Sequence, residues 1–215
     1  PFKMTYLPRI GDQIKKAKNQ FNKAMKSLDY DGKYFYCYCT KCCHFSYVLR
    51  EVLQHDVHLE TSSAFDIDLI ENLYKNELID KDQIIVNNGY KPKQYIQNIA
   101  NLINSGFKNV IPVCANIYEV DRFDELVHKK CKIGLRVATE EEPSFEFYTS
   151  RLGIRSSQIV QFAKEKFKKH KKFELYMVHF FVDTGIKDTA YYWGELKKGI
   201  NTYIELKKHF PSIKA

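Results

Sequence analysis

The sequence has no long apolar run. None of its 215 residues lies in a run approaching the roughly 18 to 20 apolar residues that a membrane-spanning helix requires. The chain begins Pro1-Phe2-Lys3-Met4, without an initiator methionine and without the apolar segment of a signal peptide. These absences exclude an integral membrane protein and predict no membrane partner. We expect the chain to be a piece of a longer polypeptide.

Cysteine is scarce, with six residues in 215, which is too few for a disulfide scaffold. Four of them cluster at Cys37, Cys39, Cys42 and Cys43, and such a cluster could bind zinc. No second C-x-x-C and no paired histidine stands at ligand spacing, so the pattern favours reduced thiols and no metal site. Reduced thiols are typical of a cytoplasmic protein.

The short motifs of nucleotide-binding proteins and simple hydrolases are also missing. The sequence contains no G-x-G-x-x-G, no P-loop, no G-x-S-x-G and no H-E-x-x-H. The net charge of +8 leaves room for an anionic partner without specifying one. The densest basic run, over 164–172, contains little aromatic interleaving and lies at a predicted helix end. It is better explained as a solvated face or a partner of the helix dipole than as a nucleic-acid surface.

Strands and helices alternate along the whole chain. Apolar residues at helical spacing predict a leading helix over 10–28, and a Thr-Ser-Ser cap at 61–63 and Gly106 bound two later helices. The predicted strands cover 34–40, 57–59, 83–86, 109–113, 132–137 and 173–182, and the first of these reads as buried on both faces. The helices that follow them cover 45–53, 64–74, 93–103, 119–128, 156–168 and 190–208.

One helix and six β-α units predict an α/β fold with a parallel sheet. Two architectures fit: an open doubly wound sheet, or a (β/α)₈ barrel cut short after its sixth unit. The end of the chain at 211–215, where another strand would begin, favours the truncated barrel. With no linker visible, residues 1–215 are interpreted as one incomplete barrel domain.

In both architectures, functional side chains lie at the carboxyl ends of the strands. That rule selects a short set of positions, namely Lys41, Glu60, Asn88, Cys114, Arg136 and 179–185. A lysine held at a buried strand end would be partly desolvated, which lowers its pKa and favours the neutral amine of Schiff-base chemistry. The alternative is a solvated lysine that has left the strand. The polar turn of Asp183, Thr184 and Gly185 could hold a phosphate group, or could simply cap the next helix.

The strand-end segments together resemble one family. Y-C-T-K-C-C at 38–43 is similar to the Y-A-V-K-C-N signature of the alanine-racemase-like, fold-type III pyridoxal-phosphate-dependent decarboxylases. Further segments follow in the family's order: L-E-T-S-S at 59–63, N-G-Y-K at 88–91, L-R-V-A-T at 135–139 and V-D-T-G at 182–185. The blocks at 44–70 and 149–154 are most similar to the bacterial arginine-decarboxylase branch. The resemblance covers the chain from about residue 34 onward and implies a barrel of the TIM type.

The resemblance also implies a cofactor and its contacts. Lys41 would hold pyridoxal 5′-phosphate as an internal aldimine, and Arg136 would lie beside the phenolic oxygen of the ring. Glu60 takes the place of the family's active-site aspartate, while Thr184 and Gly185 would contribute to the phosphate site.

One position departs from the family pattern. The histidine that usually stacks on the cofactor is replaced in register by Phe181, and His179 lies two residues earlier. Phenylalanine can stack but cannot hydrogen-bond. On a regular strand, His179 would share the face of Phe181 one layer deeper, either as a cofactor contact or as a satisfied core histidine.

Three functions from different classes follow. The leading interpretation is that the intact protein decarboxylates a basic amino acid, with arginine expected, and feeds polyamine synthesis as a homodimer. The second is an amino-acid racemase or a non-catalytic pyridoxal-phosphate carrier of the same barrel family. The third is an anion-binding module built on the basic run at 164–172. The family's partner of the pyridine nitrogen and its glycine-rich phosphate loop come after the sixth unit, so the segment alone is expected to be inactive.

Overall fold

The structure is a computed structural model that describes residues 4–138, 152–181 and 189–215. The described helices are α1 (Pro8–Ser27), α2 (Ser46–Leu53), α3 (Ala64–Lys75), α4 (Lys93–Asn104), α5 (Ile117–Leu126), α6 (Ser156–Phe167) and α7 (Thr189–His209). The described strands are β1 (Cys37–Cys39), β2 (His58–Thr61), β3 (Ile84–Asn87), β4 (Asn109–Cys114), β5 (Cys131–Ala138), β6 (Ile154–Arg155) and β7 (Phe173–Phe180). Every predicted helix and strand is present, with its ends shifted by a few residues.

The strands form one parallel sheet whose order follows the chain. The hydrogen-bonded sequence runs β1-β2-β3-β4-β5, with β7 paired to β5. A doubly wound sheet needs a point where this order reverses, so that helices cover both faces. Without a reversal, right-handed crossovers place the helices on one face, and α3 packs against α4, α4 against α5, and α6 against α7. The fold is therefore a partial (β/α) barrel, as predicted.

Residues alternate between the helix-facing side of the sheet and the barrel axis. Leu59, Ile85, Val110 and Ile133 are buried against the helices in the main hydrophobic core. Because side chains in a strand alternate with a period of two, their neighbours on each strand face the axis. These axial positions carry the chemistry-bearing side chains at the carboxyl ends of the strands.

The first strand is shorter and more open than predicted. The expected strand over 34–40 is confined to Cys37–Cys39, and all three of its residues are only half-buried. Among the residues that the structure describes, β1 pairs with β2 alone, so one of its edges has no strand to cover it. The chain then turns at Thr40–Cys42 into a single 3₁₀ turn. The prediction of a strand buried on both faces was wrong because β1 lies at the edge of the sheet.

The predicted helix ends are confirmed where local chemistry determines them. Ser63 caps α3, and its hydroxyl accepts a hydrogen bond from Asp66 N at 3.4 Å. The Asp66 carboxylate accepts in return from Ser63 N at 3.0 Å, which completes a capping box. Beyond α4, Gly106 adopts a φ of +101°, a left-handed conformation that favours glycine after a helix.

A barrel cut short after its sixth unit would leave the outer edge of β7 open, but in the structure this edge is partly covered. Val178 N donates to Ala215 O at 2.8 Å, and Ala215 N donates to Tyr176 O at 3.2 Å. This is the hydrogen-bond pattern of a parallel ladder. The residues after α7 therefore run along β7 in the place where the next barrel strand would lie.

Two further features of the fold were not predicted. The strand β6 has two residues and pairs with the end of β5, through Val137 and Ile154. The basic run also meets acidic residues of α5, because Lys166 pairs with Asp121 at 2.8 Å and Lys172 with Asp124 at 2.6 Å. No helix in the described ranges combines the length and the apolar character needed to cross a membrane.

Candidate functional site

A cavity of about 600 Å³ opens at the carboxyl ends of the strands. The residues around it come from β1, β2, β5 and β7, from the loops after these strands, and from the loop after β3. Its lining residues are Cys39, Lys41, Cys42, Glu60, Ser62, Asn88, Gly89, Arg136, Leu152, His179 and Phe181. Five residues that the sequence singled out for one site are therefore brought together: Lys41, Glu60, Arg136, His179 and Phe181.

Lys41 stands at the mouth of this cavity. The buried hydroxyl of the preceding Thr40 donates to Glu60 O at 3.0 Å and anchors the 3₁₀ turn to β2. The Lys41 Nζ lies 5.8 Å from the centre of the Phe181 ring, so its amine reaches from β1 toward the end of β7. Lys41 is exposed, so of the two alternatives for its environment the structure supports the solvated lysine and not the desolvated one. The turn carries the lysine past the buried layer, as the alternative interpretation of a solvated lysine had it.

Glu60, Asn88 and Arg136 form a hydrogen-bonded chain across the cavity wall. Arg136 Nη1 donates to Asn88 Oδ1 at 3.2 Å, and Asn88 Nδ2 donates to Glu60 Oε1 at 3.3 Å. The thiol of Cys39 also contacts Glu60 Oε1, at 3.7 Å. Burial, together with the negative charge of Glu60, raises the pKa of the Cys39 thiol to about 11. The thiol is therefore protonated at neutral pH and acts as a donor to the carboxylate.

Arg136 is the buried cation of the site. It comes from β5 and is only 8% exposed, and its Cζ lies 5.7 Å from the centre of the Phe181 ring. A guanidinium over an aromatic face is a favourable cation–π arrangement. Phe181 therefore has the Lys41 amine and the Arg136 guanidinium around its ring, and it is itself 44% exposed at the cavity rim.

His179 lies one layer below Phe181, as its position on the strand predicts. Its Nδ1 atom is buried and has no hydrogen-bond partner among the described residues. Burial lowers the pKa of His179 to about 4, with smaller contributions from the charges of Arg136, Lys91 and Lys41. The ring is therefore neutral at pH 7. An unpartnered buried nitrogen counts against the interpretation of His179 as a satisfied core histidine.

The low pKa of His179 predicts a loss of stability in acid. An unfolded histidine titrates near pH 6.5, so between about pH 6.5 and 4 the unfolded chain binds a proton that the folded chain does not. The free energy of unfolding should fall through this window as the pH falls, by on the order of 3 kcal/mol from this group. We expect His179→Gln to flatten this pH dependence, measured by urea unfolding at several pH values. The matched control His128→Gln changes an exposed histidine, and an equal flattening in both variants would contradict the assignment.

A buried ion pair supports the loop after β3. Lys91 Nζ lies 3.4 Å from Glu119 Oε2, and both side chains are almost fully buried. The same amine donates to Gly89 O at 3.0 Å, while the carboxylate accepts from Ala115 N at 3.0 Å. The pair therefore ties the Asn88–Gly89 segment of the cavity wall to the start of α5.

Two residues predicted for the site, Thr184 and Gly185, lie outside the described residues. Asn88 and Cys39 are well placed in the cavity, although the sequence assigned no role to either. The signal for Cys39 was its position at the end of β1, two residues before Lys41. Asn88 had been noted only as a strand-end position. In the part of the chain that the structure describes, no three His, Cys, Asp or Glu side chains come together as a possible metal site.

Comparison with known proteins gives a consistent result. The sequence profile of the family described as "Pyridoxal-dependent decarboxylase, pyridoxal binding domain" matches residues 12–212. A biosynthetic arginine decarboxylase of Prochlorococcus marinus (strain MIT 9215) is 27% identical over 211 residues, which cover 93% of this chain and 32% of that protein. The chain thus spans about a third of the length of the curated relatives it matches.

Solved structures share the fold. The biosynthetic arginine decarboxylase from Campylobacter jejuni superposes with a TM-score of 0.73 and 22% identity, over 96% of this chain and 34% of that one. The arginine decarboxylase of Paramecium bursaria Chlorella virus, bound to agmatine, gives a TM-score of 0.63 and 15% identity, over 94% of this chain and 49% of that one. At these identities the likeness establishes the barrel architecture.

Proposed function

The chain belongs to the pyridoxal-dependent decarboxylases, as their pyridoxal-binding domain, and on that basis we propose that the protein containing it decarboxylates arginine. The observation that carries this proposal is the convergence of Lys41, Glu60 and Arg136 on one cavity from three different strands. Each of these side chains stands at the carboxyl end of its strand, where barrel enzymes hold their reactants.

The cavity has the chemistry that pyridoxal phosphate requires. Lys41 supplies a solvent-accessible primary amine at the mouth, and that amine is the group that would hold the cofactor. The buried Arg136 guanidinium places a permanent positive charge where an anionic ring oxygen can be bound. The unpartnered Nδ1 of His179 offers a further hydrogen-bonding atom at the cavity floor. The residues present therefore fit this cofactor.

When bound, pyridoxal phosphate supplies an electron sink for the pair of electrons left as carbon dioxide departs. The residues of this chain bind and orient the cofactor. In the proposal, Lys41 Nζ holds the cofactor and Arg136 stabilises negative charge, while Glu60 accepts hydrogen bonds at the cavity wall. Thr184 and Gly185 remain our proposed phosphate contacts.

In this proposal, Phe181 and His179 together replace the histidine that usually stacks on the cofactor in this family. Phe181 offers a flat apolar face at the rim and can stack on a planar ring, but it cannot donate or accept a hydrogen bond. His179 keeps both ring nitrogens one layer deeper and is neutral at pH 7, so it can hydrogen-bond without adding charge. The division retains the stacking surface of the family while moving the polar function toward the cavity floor.

Arginine as the substrate is supported by the relatives, whose names include biosynthetic arginine decarboxylases. We further propose a homodimer working in the cytoplasm on a small basic amino acid. The six cysteines support the cytoplasmic location, since all of them are free thiols.

The test is a product assay on the full protein loaded with pyridoxal phosphate. We expect carbon dioxide and agmatine from arginine, with turnover of ornithine, lysine and diaminopimelate at least about tenfold lower in kcat/KM, a difference of ~1.4 kcal/mol. Preference for another of these amino acids would overturn the substrate. Cofactor binding with no release of carbon dioxide from any of them would favour the carrier or racemase alternative, and chiral analysis of the recovered amino acid would separate those two.

A further inference from the structure

Asn88 occupies a central position between two opposite charges of the cavity. Its Oδ1 accepts from Arg136 Nη1 at 3.2 Å, and its Nδ2 donates to Glu60 Oε1 at 3.3 Å. The residue is only 7% exposed, and its backbone N donates to Thr61 O at 2.9 Å. Gly89 follows with a φ of +85°, which turns the chain away from the cavity wall directly after Asn88. The place of this amide is therefore determined by the backbone on both sides.

The two partners leave a single orientation for the amide. A guanidinium has only donors and a carboxylate has only acceptors, so the oxygen must face Arg136 and the NH₂ group must face Glu60. Asparagine carries both kinds of group on one short side chain. An aspartate here would set an acceptor against an acceptor at Glu60, while an aliphatic side chain would satisfy neither partner.

We propose that Asn88 is a positioning residue, which holds the Glu60 carboxylate and the Arg136 guanidinium apart so that the guanidinium stays available to an anionic ligand in the cavity instead of pairing directly with Glu60. Without the bridging amide, the two opposite charges would attract each other in a site of low polarity, and a direct ion pair would turn both groups toward the wall. The second donor to Glu60 Oε1, the Cys39 thiol, holds the same carboxylate oxygen from the side of β1. The hydrogen bonds exist in the protein alone, and only their consequence for the cofactor rests on the proposed function.

The test is a double-mutant cycle that exchanges the amide and the carboxylate between positions 88 and 60. Asn88→Asp alone sets two carboxylates against each other and should weaken the binding of pyridoxal phosphate by about tenfold or more. Glu60→Gln alone keeps the pairing with Asn88, because its amide oxygen can still accept from Asn88 Nδ2, and its affinity serves as the reference for the double variant. The double variant restores donor-to-acceptor pairing, since the amide at position 60 can donate to the carboxylate at position 88, which accepts from Arg136. We expect its affinity to lie within about threefold of that of Glu60→Gln, so that Asn88→Asp costs little in this background.

A pH signature separates positioning from a general structural role. In Asn88→Asp, two adjacent carboxylates cannot both ionise easily, so affinity should become pH-dependent between about pH 5 and 8. The double variant should lose this dependence. Asn101→Asp is the matched control: it adds the same charge on the exposed face of α4, where position 101 accepts from Gln97 at 3.0 Å. This control should leave affinity and its pH profile unchanged.

The same cycle is measured without cofactor, as the urea midpoint of unfolding, so the Asn88 proposal stands apart from the proposed function. Recovery of the urea midpoint in the double variant supports the Asn88 bridge whether or not pyridoxal phosphate binds. A failure of pyridoxal phosphate to bind would overturn only the proposed function. If the effects of Asn88→Asp and Glu60→Gln are additive in both cofactor affinity and urea midpoint, the proposed bridge is wrong. If Asn88→Asp does not fold, Asn88→Ser replaces it, because a hydroxyl is too short to reach both partners. Unchanged affinity and midpoint in that variant would likewise overturn the proposal.

Discussion

Replacing Lys41 by alanine is expected to abolish the visible absorbance of lysine-bound pyridoxal phosphate and to lower decarboxylation by at least about a thousandfold, or ~4 kcal/mol. The reason is chemical, because the Lys41 Nζ is the only amine among the described residues that line the cavity. The fold should survive, since the side chain is exposed and its loss leaves no buried cavity. The measurements are absorbance spectra, steady-state kinetics on arginine and circular dichroism on the full protein.

Two matched variants test whether the loss of absorbance and activity in Lys41→Ala is due to the missing amine. Lys41→Arg keeps the positive charge but removes the primary amine, and it should lose the visible band as completely as the alanine variant. Lys93→Ala changes an exposed lysine at the first residue of α4, close to the same end of the barrel but outside the cavity lining. It should keep both the band and the activity. A persistent band in Lys41→Ala would assign the cofactor to another lysine.

The sequence predicted the architecture because the barrel is determined by repeated local signals. Periodic apolar residues, the Ser63 cap and the helix-ending Gly106 determine the elements, and their strict alternation leaves few topologies. What the sequence mispredicted depends on neighbours that local patterns do not contain. β1 is short because its only partner among the described strands is β2, and the edge of β7 is covered by residues that lie far along the chain.

The residues of the site could be predicted from the sequence about as far as the fold could. Strand-end positions and the family resemblance selected Lys41, Glu60 and Arg136, because the carboxyl ends of parallel strands meet at one rim. The role of Asn88 could not be predicted, since it depends on a hydrogen bond to a residue 48 positions away. The position of Lys41 left a desolvated and a solvated lysine as alternatives, because a strand pattern does not reveal where a 3₁₀ turn begins.

The second large effect is expected at Lys91. Lys91→Met should lower the free energy of unfolding by about 3 to 5 kcal/mol, because it leaves the Glu119 carboxylate buried without its cation. Glu119 is 1% exposed and Lys91 2% exposed, so water cannot replace the lost partner. The measurement is urea unfolding followed by circular dichroism. The control Lys108→Met breaks a pair of similar length, 2.8 Å to Asp82, whose side chains are both well exposed, and it should change little.

A second variant separates the charge from the hydrogen bonds at this pair. Glu119→Gln keeps an acceptor for Ala115 N while removing the negative charge, so the double variant Lys91→Met with Glu119→Gln no longer buries an unpaired charge. It should therefore recover most of the stability that Lys91→Met loses. It should not recover the cavity, because the methionine at position 91 cannot donate to Gly89 O. The segment carrying Asn88 would lose one of its anchors, and cofactor affinity should remain below that of the unsubstituted protein even where stability has returned. Full recovery of affinity together with stability would show that Lys91 supports only the fold, and that the cavity wall does not depend on it.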